Sequence, residues 1–330
     1  MGFVLNEIQS NIASEDPFIG SPDWGESKNW FFKDLKVHFR VTGKESNTPI
    51  VLVHGFGASS DHWRNNAEIF AAEGFRVYGI DLIGFGRSEQ NLQGKLKYLE
   101  NEIWANQLAS FLNEIVDVKR NGKVILIGNS LGALTAITTL SHKPESIKAI
   151  IAAPLPEPIF VNPIRHLLPS WMYKVKRLLI KVFFYLFPLK PLVNIISRTK
   201  IINLALQSAY FRSISEDNSL KRIVKAPARR SNASKALRSM CIGMSNRQNA
   251  AKGPSIIQKI KNLPNRPPIL LIWGKQDKLI PVFLAKKLVK LHPWLKLIVI
   301  DDAGHCLHDE LPTLFNKIVL KWLRNLKTSN

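Results

Sequence analysis

The sequence predicts a doubly wound α/β fold, a mostly parallel central sheet with helices on both faces and a helical cap inserted into it. Two observations carry that expectation. Short runs that are apolar throughout, as strands covered on both faces are, alternate with longer stretches at helical spacing. The alternation stops after Ala153 and resumes near Pro267, leaving about 110 residues of helical, basic, Pro-punctuated sequence between them.

Residues 1–30 hold few periodic apolar positions and are expected to form a loose arm. LKVHFRV, from Leu35 to Val41, alternates like a strand, and PIVLVH, from Pro49 to His54, is a short apolar one. FRVYGI (Phe75 to Ile80), Lys123 to Ile127, IKAIIA (Ile147 to Ala152), PILLIW (Pro268 to Trp273) and KLIVI (Lys296 to Ile300) complete seven strands. Helices are expected over Tyr98 to Asp117, Leu131 to His142, Val282 to Leu291 and Leu314 to Leu326, where apolar residues recur at helical spacing. The core is therefore placed at 31–153 and 267–330 and the cap at 154–266.

Composition narrows the function classes. Two cysteines, Cys241 and Cys306, make no disulfide framework and suit a reducing compartment. The N-terminus has no basic, then apolar, secretory pattern, and the run LLIKVFFYLFPL is broken by Lys181 and Pro188, short of a spanning helix. A cytoplasmic protein, free or peripheral to a membrane, is expected. The net charge is +21, and residues 161–253 hold 18 Lys/Arg against 2 Asp/Glu. That block fits either a lysine-rich composition or attraction to an anionic membrane surface. Its cations are interleaved with long aliphatics and no nucleic-acid-binding module is recognisable, which argues against nucleic acid.

The chemistry centres on Gly128-Asn129-Ser130-Leu131-Gly132, placed between a strand and a helix. A serine hydroxyl attacks only when a base takes its proton, and a tight strand-to-helix turn lifts it clear of the sheet. Small residues two positions before and after let the chain turn, and the helix that follows points N–H groups at the reacting centre. His305, in a loop after the last strand, is the candidate base, with His308 its local rival. Asp277, just past PILLIW, is the candidate orienting acid. Glu157 is a backup acid, whereas Asp301 and Asp302 lie too close to His305 in sequence to orient it.

An oxyanion needs two donors. Leu131 N–H is one candidate and Phe56 N–H, in HGFGASSDHW, the other, with Gly55 and Gly57 letting the backbone approach. The stretch lacks the glycine spacing of a phosphate cradle. His54 is expected to brace this loop, His62 and Trp63 either to line the pocket or to pack, and Asn129 to support the site. Asp81 to Ser88 reads as a structural turn.

HGFG, DLIGFGRS, GNSLGA, WGKQDKLIP and AGH, in that order, resemble the α/β-hydrolase superfamily from Leu35 to Leu326. The resemblance implies Ser130 as nucleophile, Asp277 as acid, His305 as base and no metal or organic cofactor. IGNSLGALTA and AGHCLHDELP further resemble pheophytinase-like and chlorophyll-dephytylase-like hydrolases, which release an isoprenoid alcohol from a tetrapyrrole propionate. The chain departs from that group at Ala133, where Gly is usual, and at Leu307, where Pro is usual. Meta-cleavage-product hydrolases, which break C–C bonds, share the GNS turn. Haloalkane dehalogenases and epoxide hydrolases would need Asp at position 130. The expected substrate is an ester with a hydrophobic acyl or alcohol part. A non-catalytic binding protein of the same fold is the competing class.

Overall fold

The computed structural model describes residues 18, 21–92, 94–156, 170–246 and 256–328. Eight strands form one sheet: β1 (Glu26–Phe32), β2 (Leu35–Thr42), β3 (Thr48–Val53), β4 (Phe75–Ile80), β5 (Val124–Gly128), β6 (Ile147–Ala152), β7 (Ile269–Gly274) and β8 (Lys296–Ile300). Their order is β1-β2-β4-β3-β5-β6-β7-β8. β2 is antiparallel to both neighbours, and every pairing from β4 to β8 is parallel.

The strand read as the first is the second. Glu26–Phe32, of which Glu26 to Trp30 are expected in the arm, pairs along its whole length with β2 through a two-residue turn at Lys33 and Asp34, both at positive φ. This edge strand buries only Trp30 and Phe32, so its sequence carries little apolar period.

Alternate residues of the inner strands go to opposite faces. Val51, Leu126, Ile150 and Leu271 pack with α2 (Asn101–Glu114) and α3 (Leu131–His142). Ile50, Ile125, Ile151 and Leu270 pack on the other face with α1 (Ala67–Ala72) and the C-terminal helix. This two-sided burial explains why these strands read as unbroken apolar runs.

Between β6 and β7 lie α4 (Ser170–Leu186), α5 (Leu189–Arg198), α6 (Ile201–Gln207), α7 (Asn218–Arg229) and α8 (Ala233–Asn246). Asp217 caps α7 by accepting from Leu220 N at 2.7 Å, and Arg238 donates to the Phe184 and Phe187 carbonyls at the end of α4. α9 (Ile256–Lys261), expected within the cap, belongs to the sheet layer instead. Its Ile257 and Ile260 are fully buried in the same cluster as α3. α10 (Val282–Leu291) and α11 (Pro312–Thr328) close the fold. No described helix is long and apolar enough to cross a membrane by itself.

Register positions the site. Val53 pairs with Ile80 and Gly128, and Gly128 pairs with Ala152. The carboxyl ends of these strands therefore finish level, and their following loops meet at one sheet edge, where open α/β sheets place their sites.

Candidate active site

The chain turns sharply where β5 meets α3. Ser130 has φ 51° and ψ −113°, a conformation costly for a residue with a side chain. The backbone over-determines it: Asn129 N donates to Val53 O at 3.0 Å and Ser130 N to Pro154 O at 3.1 Å. The flanking glycines have a steric reason. A Cβ on Gly128 would stand 2.4 Å from Ala133 N, and one on Gly132 would stand 2.1 Å from Val53 O. Gly132→Ala therefore forces α3 off the sheet. It is expected to lower stability by about 3 kcal/mol or more, read as a shifted urea midpoint; an unchanged midpoint would contradict this packing.

His305 and Asp277 come together from loops after β8 and β7. His305 Nδ1 lies 2.9 Å from Asp277 Oδ2. Asp277 Oδ1 accepts from Leu279 N and Ile280 N, each at 2.9 Å, which fixes the carboxylate. An Nδ1–H donated to Asp277 leaves Nε2 unprotonated. His305 and Ser130 both line one cavity of about 450 Å³. The His305 main chain is held from the helical side, since its N–H donates to Ala209 O at 2.8 Å.

The rival groups are placed elsewhere. His308 is fully buried against His62 and Trp63, and burial lowers its pKa well below the ordinary histidine range. Asp301 is exposed and pairs with Lys275. Glu157 lies outside the described residues.

The loop after β3 supplies the opposite wall. His54 donates from Nδ1 to Gly55 O at 2.7 Å and accepts Leu82 N on Nε2 at 3.1 Å. Both ring nitrogens are thus used, and burial lowers its pKa below the ordinary histidine value, so His54 braces the loop. Gly55, Phe56 and Gly57 line the cavity. A Cβ on Gly55 would meet Asn129 Oδ1 at 2.5 Å, while Gly57 has φ +74°. Asn129 lines the cavity and donates to Ala153 O at 2.7 Å and to His305 O at 3.3 Å, tying the turn to the histidine loop. Among the described residues the N–H groups of Phe56 and Leu131 have no acceptor within the chain; Phe56 lines the cavity, whereas Leu131 is buried behind Ser130 and does not.

Asp81 shows why its turn is structural. Its buried carboxylate accepts from Ser60 N at 2.6 Å, Arg87 N at 2.8 Å and His38 Nδ1 at 3.0 Å. Burial alone would raise its pKa, but His38 and these donors outweigh burial and hold it well below the usual carboxylate range.

His62 and Trp63 part ways. His62 lines the cavity, whereas Trp63 does not: it is fully buried against His308 and Phe315. His62 Nε2 lies 2.8 Å from the Tyr210 hydroxyl, which donates to Asp309 at 3.0 Å. Arg64 joins Asp309 to Asp217. Sequence reasoning missed Tyr210, Asp309, Arg64 and Asp217. They come from distant segments, and their only local sign is the acid in HDELP.

The rest of the cavity is mostly apolar, with Gln90 and Ser197 as further polar residues. Helices α5 to α8 give it Val193, Ile196, Ile202, Val224, Leu237 and Met240. Among the described residues no Lys, Arg, Asp or Glu lines it.

A serine on a strained turn and a histidine oriented by a buried carboxylate, both at one cavity that Phe56 also lines, are the parts acyl transfer needs. Residues 48–312 match the alpha/beta hydrolase fold family. The chain belongs to that family. Across 88% of its length this hydrolase is 26% identical to the AB hydrolase superfamily protein YfhM of Bacillus subtilis, covering 95% of that protein. It is 25% identical over 88% of its length to a 2-hydroxy-6-oxononadienedioate/2-hydroxy-6-oxononatrienedioate hydrolase of Burkholderia vietnamiensis, covering 92% of that protein. In fold it is similar to a thermophilic esterase of Thermogutta terrifontis, with TM-score 0.65 and 21% identity over 91% of this chain and 99% of the esterase.

Proposed function

We propose that this alpha/beta hydrolase cleaves a carboxylic ester with a hydrophobic acyl or alcohol part, isoprenoid esters included. The observation that carries the reading is a cavity that contains Ser130 and His305 and is lined without a charged side chain among the described residues. His305 Nε2 takes the Ser130 Oγ proton as the oxygen attacks the ester carbonyl. The tetrahedral oxyanion is held by the N–H groups of Phe56 and Leu131. Asp277 steadies the imidazolium, which then protonates the leaving alkoxide. Water, deprotonated by His305, cleaves the acyl-enzyme and returns the proton to Ser130.

The same cavity bears on the rival chemistry. The substrate named for the Burkholderia relative is a dicarboxylate, and a dianion entering an apolar site needs cationic partners. None lines this one among the described residues, which favours a neutral ester over C–C cleavage of a dienedioate.

A substrate panel tests the choice: p-nitrophenyl esters of rising acyl length, a phytyl ester and a ring-cleavage dienedioate. kcat/KM is expected to rise about fourfold per added methylene until the cavity is full, with no turnover of the dienedioate. Turnover of the dienedioate without ester hydrolysis would reverse the assignment.

A further inference from the structure

Helices α4 to α6 carry apolar side chains on the outside of the molecule. Leu179, Tyr185, Leu186, Ile195, Ile201 and Leu204 are between 51 and 79% exposed. A helix of a globular domain ordinarily turns such residues inward, and a large exposed apolar surface marks a contact with something else. Scattered exposed leucines would need no account, but these six fall within 26 consecutive positions.

The charge pattern says what that contact is. Residues 170–207 contain seven Lys/Arg and no Asp or Glu. Lys176, Lys190, Arg198 and Lys200 are exposed, and none forms an ion pair among the described residues. Apolar side chains beside unneutralised cations match an anionic lipid surface, where the first enter the acyl boundary and the second meet headgroups. A second copy of the chain would bring the same seven cations to the contact. The helices are also shaped to lie along a surface: Leu178–Leu186 and Leu189–Arg198 are bent by 67° about the break at Phe187 and Pro188.

The two faces of α5 and α6 connect this surface to the site. Val193, Ile196, Ile202 and Leu206 line the cavity, while Ile195, Ile201 and Leu204 of the same helices face outward. One helix layer therefore separates the cavity from the outer apolar surface.

We infer that the outer face of α4 to α6 docks this hydrolase on an anionic bilayer surface, holding the cavity against the lipid. The inference goes beyond the ester reading and does not depend on it, because lipid binding is measured without turnover.

Flotation with phosphatidylcholine vesicles, with and without phosphatidylglycerol, tests it on the full chain. Wild type should float with the anionic vesicles, more weakly by about fivefold per engaged cation with neutral ones, and salt should release it. Leu186→Ser with Leu204→Ser should lose at least about tenfold in vesicle affinity, and Lys190→Glu with Lys200→Glu should lose the preference for anionic lipid. Both pairs are exposed, so melting temperature and hydrolysis of a short water-soluble ester should stay unchanged. Ser130→Ala should float like wild type, which separates this result from the fate of the hydrolase assignment. Absence of flotation, equal binding to both vesicle types, or a wild-type dimer that ignores vesicles and dissociates on Leu186→Ser with Leu204→Ser would each overturn the inference.

Discussion

Ser130→Ala is expected to take up no fluorophosphonate and to lose ester turnover by about 10⁴-fold or more, while wild type gains one adduct by intact mass. The prediction follows from geometry. Oγ is the only nucleophile carried on the turn, and the alanine keeps the backbone bonds of Asn129 N and Ser130 N that hold the turn in place. The fold and the N–H groups of Phe56 and Leu131 should survive, so loss of labelling reports the missing oxygen. Asp277→Asn is the companion. The amide still accepts from Leu279 N and Ile280 N but removes the charge beside the imidazolium and permits the wrong His305 tautomer, at a cost of about 10³- to 10⁴-fold in kcat. Labelling of Ser130→Ala at another residue would remove the nucleophile assignment. A folded wild type that takes no label would return the chain to the class of non-catalytic binders.

Stability should fall steeply on mild acidification. Three of the buried histidines decide this, His54, His62 and His308. Burial lowers all three, His62 from 6.5 to about 4. Unfolding lets each take a proton at the ordinary value. Their contribution is therefore complete above pH 6.5 and is lost as pH falls toward 4, with the unfolded chain binding the extra protons. Each fully separated group adds a slope of about 1.4 kcal/mol per pH unit, so His62 and His308 together give about 3, and His54 acts in the same direction. Asp61 works in the opposite sense, because burial raises its carboxyl above the ordinary value. Asp81, held low, adds a further loss only below the ordinary carboxylate range. Urea midpoints by tryptophan fluorescence between about pH 7 and 5 check this; a flat profile would mean that these rings are hydrated or paired in solution.

The parts of the molecule legible in sequence are those whose cause is local. Lys123 to Ile127 reads as a strand because both of its faces are covered, and the Ser130 turn because its glycines stand beside it in the chain. Val282–Leu291 and Leu131–His142 were read to the residue. Glu26–Phe32 was missed because an edge strand with two inward side chains has almost no period to detect. The layer of α9 is not legible because IIQKIK has the same helical pattern whichever face it meets, and only Ile257 and Ile260 packing beside α3 decides. Sequence alone does not separate pocket from core for Trp63, because its neighbours His308 and Phe315 lie more than 240 positions away. The link from His62 through Tyr210 to Asp309 is invisible for the same reason: its partners are 148 and 99 residues apart.

The hydrogen bond from His305 N to Ala209 O limits how this enzyme can be re-engineered. A chimera that exchanges the segment between β6 and α9 for another lid keeps Ser130 and Asp277 untouched, yet removes the carbonyl that anchors the histidine loop. Gly304 narrows the choice further, because a Cβ there would stand 2.7 Å from Phe211 N and 2.9 Å from that same carbonyl. Lid shuffling aimed at new specificity should therefore carry the Ala209–Phe211 turn across with the scaffold and place the graft junctions outside it.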